Sequence, residues 1–149
     1  MKYAFFLGCT IPARASNYEL SVRKVAETLG IELVDILEFG CCGFPVRSTD
    51  YGASLLMSTH ALSLAEERKL EICTMCSACT GILTEAMKTL KEDDDLRKRI
   101  NQKLEEATGK EYNGTTSVRH FSRILYEDIG VDNLKKSIKR ELSPLRLSI

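Results

Sequence analysis

The sequence has no excess of charge of either sign: 21 Lys and Arg offset 21 Asp and Glu. That balance gives no global attraction to nucleic acid or to an anionic membrane surface. There is also no apolar run near the ~20 residues that a membrane-spanning helix requires. The opening MKYAFFLGC resembles the end of a lipoprotein signal. Only about six apolar residues precede Cys9, however, against roughly 7–15 in a secretory apolar region. No internal repeat and no low-complexity linker interrupt the 149 residues, a length that suits one domain with its own core. A cytoplasmic setting, where thiols stay reduced, is the expectation. Histidine is scarce. His60 sits among Ser, Thr and Ala in a helical stretch and reads as a partly exposed packing residue. His120, after Arg119 at a helix start, reads as a cap or packing residue rather than a ligand.

What the sequence does have is six cysteines, all within its first 79 residues. Their density is well below that of a disulfide-stapled scaffold. They fall into three groups: Cys9, the adjacent Cys41 and Cys42, and Cys73, Cys76 and Cys79. Six unrelated core thiols would not cluster in this way, so metal binding or redox work is expected.

Strand and helix patterns alternate along the chain. KYAFFLG is a compact apolar run suited to a buried strand. Ser16-Asn17-Tyr18-Glu19 matches a capping box and predicts a helix with Tyr18, Val22, Val25, Ala26 and Leu29 on one face, ending at Gly30. IELVDIL predicts a second strand, followed by the FGCCGFP loop. Ser48 to Asp50 can open a helix reaching Lys69, and LEIC predicts a third strand. A helix with Ile82, Leu83, Ala86, Met87 and Leu90 on one face follows. Beyond the KEDDD break, Leu96, Ile100, Leu104 and Ala107 mark another helix, closing at Gly109. TTSVRHF can hold a short fourth strand, then a helix to Ile129 and Gly130. Asp132 to Leu142 predicts a last helix whose Lys135, Lys136, Lys139 and Arg140 form a solvated face. The terminal SPLRLSI reads as the opening of another strand.

The order predicts an α/β fold, with a Rossmann-like parallel sheet of three to four strands, flanking helices and a helical C-terminal third. In a parallel sheet all three cysteine groups fall at strand C-terminal ends, the edge where open α/β folds place ligands. Distant cysteines are thereby brought to one site. Cys76-x2-Cys79 is a sound zinc knuckle, but its partner pair is vicinal rather than spaced. Cys73-x2-Cys76-x2-Cys79 imitates the start of a ferredoxin run without its fourth cysteine. A thioredoxin-style dithiol at Cys76 and Cys79 would be expected earlier in the chain. A larger iron–sulfur assembly accommodates adjacent thiolates best, because neighbours can bind different irons.

Cys9-x31-Cys41-Cys42-Gly43-x32-Cys76-x2-Cys79, together with MKYAFFLGC, Pro12, Arg14, LGIELVDI and VRHFSRILYEDIG, resembles the CCG cysteine-rich domain of the B subunits of heterodisulfide reductases. The resemblance covers essentially the whole chain. It implies a single domain over residues 1–149, the N-terminal half of a subunit that carries two copies, with LRLSI as the first strand of the second. It implies a non-cubane [4Fe-4S] cluster held by Cys9, Cys41, Cys42, Cys76 and Cys79. The implied activity is disulfide reduction: the coenzyme M–coenzyme B heterodisulfide of methanogenesis or a related one, catalysed only within a larger complex. The implied partners are a second CCG domain, a cubane iron–sulfur electron donor resembling the C subunit of those enzymes, and a flavoprotein resembling their A subunit. Electron transfer in another CCG-domain oxidoreductase and a zinc-holding structural module are the alternatives.

Cys73 is additional to that pattern and reads as a small apolar residue closing the third strand. Arg14, five residues past Cys9, is the candidate contact for an anionic group on the substrate. Three expectations follow. The five sulfurs share one pocket, with Cys73 in the core or at its rim. In an aerobic sample the cluster is lost or a disulfide forms among the clustered cysteines. The chain self-associates through an apolar surface near LRLSI and the pocket unless a partner covers it.

Overall fold

A computed structural model describes residues 1–139. Strand β1 (Lys2–Phe6) is followed by the short helix α1 (Thr10–Arg14) and by α2 (Ser16–Thr28), which returns the chain to β2 (Glu32–Asp35). A 3-10 turn (Phe44–Val46) then leads into α3 (Tyr51–Glu67) and β3 (Glu71–Thr74). Helices α4 (Ser77–Glu92) and α5 (Asp94–Thr108) precede β4 (Val118–His120). Helix α6 (Phe121–Ile124) widens into a π turn over Leu125–Ile129 before α7 (Val131–Ser137). Among the described residues no helix is long and apolar enough to cross a membrane.

All four strands are parallel, in the order β2-β1-β3-β4. The chain moves outward from β1 to β2, then crosses back over β1 to lay β3 on its other side. Strand order therefore reverses between β1 and β3. At such a switch point the loops leaving two neighbouring strands part to opposite faces and open a crevice.

The strand residues alternate between two cores, as the pleat requires. Ala4, Phe6 and Ile72 face one core with Leu55, Leu62, Leu83, Leu90 and Tyr112, under α3, α4 and α5. Tyr3, Phe5 and Cys73 face the other, with Val22, Ala26, Phe121 and Ile124 from α2 and α6. Helix α3 is buried around most of its circumference, including the polar Ser54, Ser58, Thr59 and Ser63. Its start is fixed by Asp50, whose carboxylate accepts from the Ala53 amide at 2.8 Å. Asp93 does the same for α5, accepting from the Leu96 amide at 2.8 Å.

Three sequence expectations need correction. The capping box at Ser16 does not form: Ala15 is the cap of α2, without a side-chain bond. Glu19 instead meets Arg23 at 2.9 Å, one turn on, and Arg23 also reaches Asp35 at 2.6 Å. The ion pair with Arg23 engages the Glu19 carboxylate in place of a reach back to a backbone amide. Directly before this cap lies α1, which the sequence pattern does not announce. Second, Tyr18 and Val25 are more exposed than a core face requires, while Val22 and Ala26 carry the packing. Third, the last helix stops at Ser137, so Lys139 lies beyond it. Arg140 and the predicted LRLSI strand lie outside the described residues.

Candidate metal centre

Each cysteine group is delivered by a different exit from the sheet. β1 ends at Phe6 in register with Thr74 of β3. Three residues beyond Phe6 the chain has turned at Gly8 (φ +68) and presents Cys9 at the start of α1. Two residues beyond Thr74 stands Cys76, the N-cap of α4, with Cys79 in that helix's first turn. Thr80 anchors this corner: its hydroxyl donates to the Cys76 carbonyl at 2.9 Å and lies 2.6 Å from the Thr74 hydroxyl. Cys41 and Cys42 come from the loop after β2, which is held down by Phe39 edge-on to Phe6, 5.1 Å between ring centroids.

These exits meet. A cavity of about 100 Å³ is lined by Cys9, Cys42, Cys76 and Cys79, together with the apolar Leu7, Ile11, Phe44 and Pro45. The Cys41 sulfur lies 4.0 Å from that of Cys9. The structure thus brings Cys9, Cys41, Cys42, Cys76 and Cys79 to one place at the strand C-terminal edge. Cys73 is not among them. It is fully buried in the core on the opposite face of the sheet, beside Phe5. The parity of β3 decides this: neighbours along a strand point to opposite faces, and Ile72 and Thr74 take the other side.

Burial grades the sulfurs. Cys42 and Cys79 are 2% and 5% exposed, Cys41 and Cys76 are half-buried, and Cys9 faces solvent. The Cys79 thiol donates to Cys42, and this bond above all pulls the Cys42 thiol down to about 6; burial works against it and the Phe44 amide assists. As the donor of that pair, and buried, Cys79 holds its own proton far more tightly than a free thiol. Burial raises Cys41 as well, opposed by the Gly43 amide, which donates to its sulfur at 3.5 Å. Successive amides of Gly43 and Phe44 thus face the two vicinal sulfurs, a small nest for negative charge. In the apolar core Cys73 is pushed up to about 12 by burial, which makes it an inert thiol.

Two glycines shape the cradle. A Cβ on Gly8 would stand 3.0 Å from the Cys79 sulfur. One on Gly43 (φ +92) would stand 2.7 Å from the Ser54 carbonyl oxygen and 2.9 Å from its Cα. One turn further along α3, Ser58 donates to the Cys42 carbonyl at 2.7 Å. Ser54 and Ser58 are supports that the sequence alone did not single out; their signal was two hydroxyls four residues apart on one helix. Tyr18, which donates to the Met75 carbonyl at 3.3 Å and so steadies the exit from β3, gave no such signal.

Among the described residues no three His, Cys, Asp or Glu side chains are placed to hold a single metal ion. The donor set is instead soft, all sulfur, and spread around an apolar cavity, which suits a polynuclear iron–sulfur group better than one zinc ion. Arg14, at the end of α1, is exposed and forms no ion pair among the described residues. His120 caps α6, its Nδ1 accepting from the Ser122 amide at 3.2 Å. His60 is partly exposed, and burial lowers its pKa.

Comparison with known proteins places these cysteines in a family. Over its whole length the chain is 32% identical to a heterodisulfide reductase B-subunit-like protein of Archaeoglobus profundus, of which it covers 50%. It is 31% identical over 99% of its length to the B subunit of the ferredoxin:CoB-CoM heterodisulfide reductase of Methanosarcina mazei, covering 49% of that protein. It is also 32% identical, over 99% of its length, to the 8-methylmenaquinol:fumarate reductase membrane anchor subunit of Wolinella succinogenes, covering 51% of it. The chain spans about half the length of these relatives. A crystal structure of a hypothetical protein from Helicobacter pylori shares the fold, with a TM-score of 0.74 at 16% identity over 85% of this chain and 25% of that one. The family model of the cysteine-rich domain, CCG, matches residues 3–84, the segment that contains all six cysteines, and the chain belongs to that family.

Proposed function

We propose that this chain is the N-terminal cysteine-rich unit of an iron–sulfur subunit that reduces a disulfide, and that Cys9, Cys41, Cys42, Cys76 and Cys79 hold its non-cubane [4Fe-4S] cluster. The observation that carries the reading is the meeting of those five sulfurs at the switch point of the sheet, with Cys73 alone turned away. When bound, the cluster supplies single electrons near a soft iron site where a sulfur of the substrate can be held. The chain does the rest. Leu7, Ile11, Phe44 and Pro45 give the cavity apolar walls. The Gly43 and Phe44 amides favour thiolate at Cys41 and Cys42. Arg14 offers a guanidinium on the same edge for an anionic substrate group.

In this reading the domain pairs with a second copy of itself and works with an iron–sulfur donor and a flavoprotein. The relatives named as B subunits of heterodisulfide reductase or as B-subunit-like, twice the length of this chain, support that reading. The Wolinella relative favours a second one, electron transfer within another oxidoreductase that uses the same domain.

Anaerobic purification followed by iron, sulfide and zinc analysis is the first test. About four iron and four sulfide per chain are expected; stoichiometric zinc without iron would overturn the reading. Turnover of the coenzyme M–coenzyme B heterodisulfide by the full two-domain protein, with an artificial one-electron reductant, then separates the two. Electron acceptance without disulfide turnover would select the second.

A further inference from the structure

The five sulfurs are not equivalent in reach. Cys42 and Cys79 are buried, whereas Cys9 is exposed and its sulfur lies 4.0 Å from that of the half-buried Cys41. A disulfide bond is about 2.05 Å long, so the two sulfurs have about 2 Å to close. Neither residue is fixed inside a long element: Cys9 precedes a five-residue helix, and Cys41 belongs to the irregular stretch between β2 and the 3-10 turn. We propose that Cys9 and Cys41 form a reversible disulfide in the cluster-free chain, a redox lock that must be opened before a cluster can be loaded.

The oxidant is a low-molecular-weight disulfide such as glutathione disulfide. One of the two thiols attacks it as thiolate, forms a mixed disulfide and expels one glutathione thiolate. The second thiol attacks the protein sulfur of that mixed disulfide and expels the second. Two protein thiols are oxidised, one glutathione disulfide is reduced to two glutathione molecules, and the two protons end on the glutathiones. Cys42 and Cys79, sheltered beneath, remain reduced. Because the lock consumes two thiols of the same cradle, oxidised chain cannot take up the cluster until a dithiol or thioredoxin-like reductant restores them. This loading step rests on the proposed function.

The test uses the cluster-free chain of residues 1–149 in glutathione redox buffers. Trypsin places Cys9 in peptide 3–14, Cys41 and Cys42 in peptide 25–47, and Cys73, Cys76 and Cys79 in peptide 70–88. Non-reducing mass spectrometry is expected to find 3–14 joined to 25–47, with free thiols falling from six to four per chain. Cys42→Ser is expected to keep the link and Cys41→Ser to lose it. Oxidised chain is expected to incorporate much less iron and sulfide than reduced chain until dithiothreitol is added. A link within peptide 70–88, a link from 25–47 to 70–88, or six free thiols throughout would overturn the proposal. So would equal loading of oxidised and reduced chain. The disulfide map needs no cluster, so it stands or falls separately from the proposed function.

Discussion

Replacing Gly43 with alanine tests whether the vicinal cysteines are held by backbone packing. Two costs add. A left-handed φ, here +92, costs an L-residue about 1–2 kcal/mol. The new methyl would also meet the Ser54 carbonyl oxygen at 2.7 Å and the Ser54 Cα at 2.9 Å. These atoms belong to the first turn of α3 and cannot swing aside, so overpacking adds about 1–3 kcal/mol. The sum, about 2–5 kcal/mol, corresponds to a melting temperature lower by roughly 4–20 °C for a chain of this size. Circular dichroism on reduced, cluster-free protein measures it, and iron per chain after anaerobic reconstitution reports whether the sulfurs have moved. Gly40→Ala is the control, because nothing lies within 4 Å of its Cβ and its φ is not left-handed; its expected change is within ~0.5 kcal/mol. Gly8→Ala separates the two effects, since its contact is the Cys79 sulfur itself at 3.0 Å. It is expected to lose more iron per degree of melting temperature than Gly43→Ala. If Gly43→Ala melts at the same temperature as the parent and loads iron normally, the packing argument is wrong.

Cys73→Ala is expected to cost about 1 kcal/mol in urea unfolding and to leave iron content unchanged, whereas Cys79→Ala loses most of the iron; loss of iron from Cys73→Ala would refute the ligand assignment. Tyr112 is fully buried and its hydroxyl has no partner among the described residues, so Tyr112→Phe is expected to raise stability by about 1 kcal/mol; a loss would reveal a bond to that hydroxyl. Asp128 is held below the usual carboxylate range by Arg119 and then by Tyr3. Its contribution is therefore full above the unfolded value of about 3.9 and is lost as pH falls below it through the folded value. Asp128→Asn is expected to flatten the acid limb of stability below about pH 4 and to lower stability at neutral pH; an unchanged acid limb would show that the Arg119 network carries no linkage.

Much of this was legible in the sequence because the fold is built from strong, alternating patterns. KYAFFLG, IELVDIL and LEIC correspond to β1, β2 and β3, and Cys73, read as a small apolar residue closing the third strand, is buried at that strand. TTSVRHF contains β4, and Gly30, Gly109 and Gly130 follow helices with positive φ. That the three cysteine groups meet at one edge followed from topology, since parallel strands send every exit to the same side; the choice of five among the six came from the family resemblance. What stayed hidden were features decided by tertiary competition. Glu19 has the spacing of a capping partner, but it pairs with Arg23, which Asp35 also holds. Helix α1, five residues long and containing Pro12, has no periodicity to read. The supports at Ser54 and Ser58 exist only because α3 is pressed against the cysteine loop.

The reversal of strand order between β1 and β3 has a consequence for how the chain is made. Cys76 and Cys79, the neighbours of Cys9 across the crevice, leave the ribosome about seventy residues after it. At the usual ~5–20 residues per second, that is roughly 4–14 s of synthesis. During this interval no part of the nascent chain contains the whole cradle, and the sheet itself pairs only strands far apart in sequence, a slow kind of closure. The cradle is therefore complete only after this segment has been synthesised and β3 has docked against β1, and until then its thiols are separate.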